Sequence, residues 1–398
     1  MAKGLVAATA CLHCVMLGCR ASRAPPFLWI DFRSGGARIC RLRQRVRNSR
    51  DQEQARKGAD NMQPHFDTPP KMTVSLTDTC NLDCIHCYAD CTQTAAPEEL
   101  DIDEWIRFID YLLANDFIEL YIEGGEPLLK PGFERLLAHS ARKLMTMVRT
   151  HGTLLDGPMA ERWKRFGVGR VFVDIMGASA GTHDALTGVA GSFDSACEAV
   201  AHLVRVGIPV DMLIIMHRRN VAELPAYLEL AKSLGAQRVG LLRLYPLGRA
   251  KRRWSELALT LKEQEAAVAG LRPPEGLKLM QSWHPNDANC CWQAATVNAR
   301  GDSIGCPYLR EYVNFGNIRS IEFMATWRDN ALYRQLRSGR VEASSCPDCH
   351  SVEGTRGGCR STAYAFHGRW TAPDPFCHHS NHGVRLDVLP IRLLPTPP

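Results

Sequence analysis

Between residues 71 and 245 short apolar runs alternate with amphipathic stretches, and that alternation leaves few folds open. The runs are MTVSLT (72–77), IELYIE (118–123), LMTMVRT (144–150), VFVDIM (171–176), VDMLIIM (210–216) and VGLLRLY (239–245). Each is too short for a core helix and rich in residues that suit a pleated, buried surface. Helical stretches separate them at 100–115, after Pro131, and at 157–166, 193–206 and 222–234. In the first helix Ile102, Trp105, Ile109, Leu112 and Leu113 share one face, and Asp101 with Glu104 three residues on has the form of a capping pair. Six strands and five intervening helices predict an α/β fold with a parallel sheet, barrel-like or doubly wound. Ligands of either fold gather at the carboxyl ends of the strands. Pro273 and Pro274 mark a boundary, after which cysteines become dense.

Composition narrows the partners. The chain has 398 residues, 45% hydrophobic, enough for a large core. No apolar run reaches 18 residues, and mean hydropathy is −0.19, so no spanning helix is expected. The net charge is +6, but residues 1–60 hold 12 basic and 4 acidic side chains, a net of +8 that leaves −2 for the rest. The whole-chain pI is therefore no evidence for nucleic acid. Residues 4–19 superficially resemble a signal peptide, and Met16-Leu17-Gly18-Cys19 a lipoprotein site. The Arg-rich RLRQRVRNSRDQEQARKG follows without an apolar period. We read 1–66 as a solvated extension, or as sequence upstream of a start at Met62 or Met72, and expect a cytoplasmic protein without membrane or nucleic-acid partners. Cys11, Cys14, Cys19 and Cys40 contain one C-x2-C pair and no second half, so they are assigned no metal.

Just past the first run stands Cys80-Asn-Leu-Asp-Cys84-Ile-His-Cys87-Tyr. Three thiolates on one loop can hold three corners of a [4Fe–4S] cube and leave one iron open. Zinc needs a fourth ligand, which His86 or Cys91 offers, but this spacing is not a common zinc spacing. Three cysteines within eight residues are not explained as core packing. Cys91 reads as a bystander and Cys197, on the apolar face of its helix, as core.

With these residues the chain resembles the radical S-adenosylmethionine (radical SAM) superfamily. Gly124-Gly125-Glu126-Pro127 follows the second run, where that family has a segment binding the amino group of SAM. VFVDIMGASAGTHDALTG (171–188) is similar to the family's fourth strand and the loop after it, with His183-Asp184. The resemblance implies a partial (β/α)6 barrel over 67–275. It places Thr150, Asp174 and Arg243 at strand ends lining the cofactor cleft. A charge such as Asp174 inside an apolar run needs a partner. The chemistry implied is reductive cleavage of SAM at the cluster to a 5′-deoxyadenosyl radical, which takes a hydrogen from the substrate.

Downstream lie Cys291, Gly301-Asp-Ser-Ile-Gly-Cys306, Cys346-Pro-Asp-Cys349, Cys359 and Cys377. These resemble the SPASM extension of radical SAM enzymes, here placed at 276–380 with a tail at 381–398. By that resemblance Cys291, Cys306 and Cys359 hold one auxiliary [4Fe–4S] cluster, which Cys290 could complete. Cys346, Cys349 and Cys377 hold a second. Thr355 stands where the pattern has another cysteine, so the second site is empty, uses Asp348, His350 or His378, or has an open iron. A zinc ribbon remains the alternative for this region.

The resemblance implies an enzyme acting on a peptide or peptide-derived cofactor precursor, with haem or another tetrapyrrole as the alternative. It implies an electron donor such as a flavodoxin or ferredoxin. Residues 1–70 do not resemble a leader-binding domain, so a separate protein supplies that function or the substrate has no leader. Pro307 stands where sulfatase maturases carry an acidic residue, which speaks against that activity. A non-catalytic iron–sulfur or zinc module is the reading from another class; joint retention of the cysteine triad and Gly124–Pro127 argues against it.

Overall fold

The computed structural model describes residues 68–281, 291, 293–338, 341–342, 357–379 and 381–394. Readings placed on 1–66, Cys290, Cys346, Cys349 and Thr355 lie outside the described residues. The six expected strands form as β1 (Lys71–Ser75), β2 (Glu119–Glu123), β3 (Met145–Thr150), β4 (Arg170–Asp174), β5 (Val210–Ile215) and β6 (Arg238–Leu242). Two more, β7 (Lys278–Gln281) and β8 (Ala294–Val297), come from beyond residue 275.

All eight lie in one sheet of order β7-β6-β5-β4-β3-β2-β1-β8, and every pairing is parallel. Successive strands are neighbours, so the winding runs one way and the doubly wound alternative is set aside. Among the described residues β7 and β8 do not pair, so the barrel is open. Val74 of β1 sits opposite both Ile122 and Val297, which places β8 on the outer flank of the first strand.

Helices cover the sheet: α1 (Ile102–Ala114), α2 (Phe133–Ala141), α3 (Gly157–Phe166), α4 (Ala180–Thr187), α5 (Ser192–Arg205), α6 (Leu224–Ser233) and the short α7 (Gly248–Arg252). The capping box at Asp101 and Glu104 forms, and α1 buries Trp105, Phe108, Ile109 and Leu112 against the strands. Trp105 and Trp163 have no exposed surface; truncating either to Ala would cost roughly 3–5 kcal/mol. No helix among the described residues is long and apolar enough to cross a membrane.

Candidate active site

The carboxyl ends of the strands open into a cleft of about 690 Å³, its mouth included. Cys80, Cys84 and Cys87 line it together with Gly124, Gly125, Thr150 and Asp174. The topology explains the convergence. Gly124 directly follows β2, Thr150 and Asp174 end β3 and β4, and the cysteine loop follows β1.

That loop is clamped by backbone. Asp83 and Ile85 donate their N–H groups to Thr187 and Leu186 carbonyls at the end of α4, at 2.8 and 3.0 Å. On the other side Arg249 donates its N–H to the Cys87 carbonyl at 2.9 Å. Its guanidinium reaches the carbonyls of Cys84 and Cys91, each at 2.8 Å. A Cβ on Gly248 would lie 2.6 Å from the Cys87 carbonyl, at a φ of +52°. Glycine there lets α7 approach. Arg249 was not legible in the sequence, because LGRAKRR reads as a solvated charged turn.

Burial pushes the Cys80 thiol up to about 12 and the Cys84 thiol well above its ordinary range. A hydrogen bond from Cys91 brings Cys87 down to about 6. Cys91, read as a bystander, is buried in the cleft wall and shares that bond. A cationic cluster is what would displace protons from Cys80 and Cys84. Among the described residues no three His, Cys, Asp or Glu side chains gather tightly enough for a single ion. A cube spreads its thiolates over separate irons, whereas zinc gathers its ligands around one ion.

The two glycines after β2 are sterically required. A Cβ on Gly124 would sit 2.5 Å from the Thr77 carbonyl oxygen, and one on Gly125 2.2 Å from that of Thr79. Their backbone packs directly against the chain entering the cysteine loop, where Gly125 donates to Thr77 at 2.7 Å and Glu126 to Thr79 at 2.8 Å. The Glu126 side chain has no exposed surface. It accepts from Thr150 Oγ1 at 2.8 Å and the His151 N–H at 3.1 Å. Thr150 and His151 line the cleft, and Glu126 holds them. Pro127 starts a short 3-10 turn over Pro127–Leu129.

Charge in the floor is paired. Arg149 binds Asp174 through Nε at 2.8 Å and Nη2 at 3.0 Å. Beside it the buried Glu123 accepts from the Tyr88 hydroxyl at 2.9 Å, and burial pushes its carboxyl up. Arg149, Glu123 and Tyr88 were missed by the sequence reading, although Arg149 carries the same signal as Asp174, a charge within an apolar strand. His183 Nδ1 accepts from the Met176 N–H at 2.9 Å, while Asp184 caps the start of α5 through Gly191, Ser192 and Phe193.

Arg243 departs from its expected place. It does not line the cleft: its side chain is wholly buried and contacts Asp374 at 3.0 Å and Thr362 Oγ1 at 3.1 Å. The reason is the C-terminal segment, which packs over the end of β6 and supplies a carboxylate. Asp374 also accepts from the Cys359 N–H at 2.8 Å. Of the downstream cysteines, Cys291 and Cys306 are buried beside Tyr333, Cys359 is half-buried and Cys377 is fully buried.

Residues 74–231 match the radical SAM superfamily, and 290–350 match the SPASM iron-sulfur cluster-binding domain. The mycofactocin maturase MftC of Mycobacterium tuberculosis is 30% identical over 330 residues, covering 78% of this chain and 83% of its own. The AdoMet-dependent heme synthase of Methanosarcina barkeri is 29% identical over 342 residues, covering 78% of this chain and 96% of its own. Among solved structures, Streptococcus suis SuiB bound to precursor peptide SuiA is similar in fold, with a TM-score of 0.64 at 14% identity over 94% of this chain and 87% of that one.

Proposed function

Because the chain belongs to the radical SAM superfamily and carries a SPASM domain, we propose that it is a maturase acting on a peptide or peptide-derived precursor in the cytoplasm. The observation that carries this is the convergence of Cys80, Cys84 and Cys87 with the Gly124–Gly125 backbone on one cleft. We assign those three cysteines as ligands of the SAM-binding [4Fe–4S] cluster and the Gly124–Pro127 segment as the neighbour of SAM. We assign Cys291, Cys306, Cys346, Cys349, Cys359 and Cys377 to auxiliary clusters. When bound, cluster and SAM together supply the 5′-deoxyadenosyl radical chemistry.

The protein's own part is placement. Arg249 and α4 fix the cysteine loop from both sides. Glu126 fixes Thr150 and His151 at the cleft wall. The Arg149–Asp174 pair offers the cleft a polar floor whose charges are largely neutralised, suited to hydroxyl and amide groups. Similarity to MftC, a maturase, and likeness in fold to SuiB, solved with a precursor peptide, support a peptide substrate. Similarity to a haem synthase across nearly all of that protein's length supports tetrapyrrole modification as the second reading.

The test uses anaerobically reconstituted protein with SAM and a one-electron reductant. Formation of 5′-deoxyadenosine is expected, and its absence from cluster-loaded protein overturns the enzymatic reading. Deuterium passing from a labelled candidate peptide into 5′-deoxyadenosine supports the peptide substrate. Transfer only from a labelled tetrapyrrole replaces it with the second reading.

A further inference from the structure

Tyr245 lies three residues past β6, and its hydroxyl oxygen is 3.6 Å from Cys359 Sγ. Its ring is stacked on Tyr308 with centroids 3.7 Å apart and planes inclined by 7°. Tyr308 meets Tyr88 edge-on at 5.0 Å, and Tyr88 directly follows Cys87. Three rings therefore lead from the first cysteine loop to Cys359. The stack holds the Tyr245 ring from one side, while Asp374 holds the Cys359 backbone from the other. Neither partner of the oxygen–sulfur contact is placed by chance packing.

We propose that Tyr245 is a hydrogen-bond donor to the Cys359 thiolate and that it raises the reduction potential of the auxiliary cluster this thiolate binds. The proposal rests on the assignment of Cys359 as a cluster ligand. A cysteine bound to iron has lost its proton, so only the phenol can donate across the contact. Reduction adds negative charge to the ligand sulfurs and strengthens such a bond, so the reduced form gains more from it.

The experiment uses the full chain with Cys80, Cys84 and Cys87 replaced by Ala, reconstituted anaerobically, so that paramagnetic resonance of the reduced protein reports auxiliary iron alone. Tyr245→Phe keeps the ring and its stack and removes only the hydroxyl. The expected result is unchanged iron content and a lower midpoint. The reduced-to-oxidised ratio at the unsubstituted midpoint should fall roughly tenfold, or about 59 mV for a one-electron couple. An unchanged midpoint in Tyr245→Phe, alongside loss of iron in Cys359→Ala, overturns the hydrogen bond and leaves the ligand assignment standing. If Cys359→Ala keeps its full iron content and spectrum, the ligand assignment falls and the proposal with it. Should Tyr245→Phe fail to hold iron, the protein with Tyr245 intact is measured in heavy water. An exchangeable deuteron coupled to the reduced cluster supports the proposal, and its absence overturns it.

Discussion

Arg243 Nη1 lies 3.0 Å from Asp374 Oδ2, and neither side chain reaches solvent. The pair joins the end of β6 to a residue more than a hundred positions later. Burial opposes ionisation of Asp374, yet Arg243 and two backbone N–H groups hold its carboxyl below the usual range.

Removing one partner leaves the other charged in a dry interior. Arg243→Met should therefore lower unfolding free energy by about 3–5 kcal/mol. The double variant Arg243→Met/Asp374→Leu should lose less than the two single losses combined. Denaturant titration of the metal-free chain checks both; strict additivity would show that the pair is not coupled.

Gly125→Ala places a methyl group 2.2 Å from the Thr79 carbonyl oxygen, directly before Cys80. The loop must move, so iron bound after anaerobic reconstitution should drop well below the unsubstituted level. Gly270, whose added Cβ meets nothing within 4 Å, serves as the control and should tolerate Ala with no loss. Equal iron in both variants would remove the steric argument.

Cys84→Ala leaves two thiols for a cube and should abolish 5′-deoxyadenosine formation. Cys197→Ala, in a half-buried thiol packed against the core, should retain it. Chromatographic assay of 5′-deoxyadenosine distinguishes them, and full activity in Cys84→Ala would sink the ligand assignment.

Acid should destabilise the chain through its buried imidazoles, His183 and His217 among them. Desolvation brings His183 down to about 4 and His217 down to about 3, whereas both titrate near 6.5 when unfolded. The unfolded chain thus binds more protons below pH 6.5. Stability from these groups is complete above that pH and is lost as pH falls toward their folded values. Near pH 5 the slope from the two is roughly 2–3 kcal/mol per pH unit. Replacing His183 with Gln should flatten a plot of unfolding free energy against pH between 4 and 6.5.

Much of the barrel was legible because buried strands and amphipathic helices leave periodic signals. The helix expected at 157–166 forms with those bounds. β7 and β8 escaped notice because KLMQ and AATV are short and lack alternation; pairing at the sheet edges makes them strands. The three cysteines stand out in the sequence by their spacing, and they line one cleft. Arg149 stands out in its strand as a charge, but its partner does not: the pairing with Asp174 depends on register, with Arg149 opposite Phe172, two residues from Asp174 on the same face. Arg243 was misplaced because the carboxylate that claims it is remote in the chain, and no local pattern announces it.

The position of β8 beside β1 bears on the order of biosynthesis. The strand that launches the cysteine loop is flanked by Ala294–Val297, a segment synthesised more than two hundred residues later. Until that segment leaves the ribosome, β1 presents an open edge of unpaired backbone groups. Pairing of such distant segments is slow to form. The start of the cysteine loop therefore hangs from a strand paired on one side only until residues 294–297 have been made.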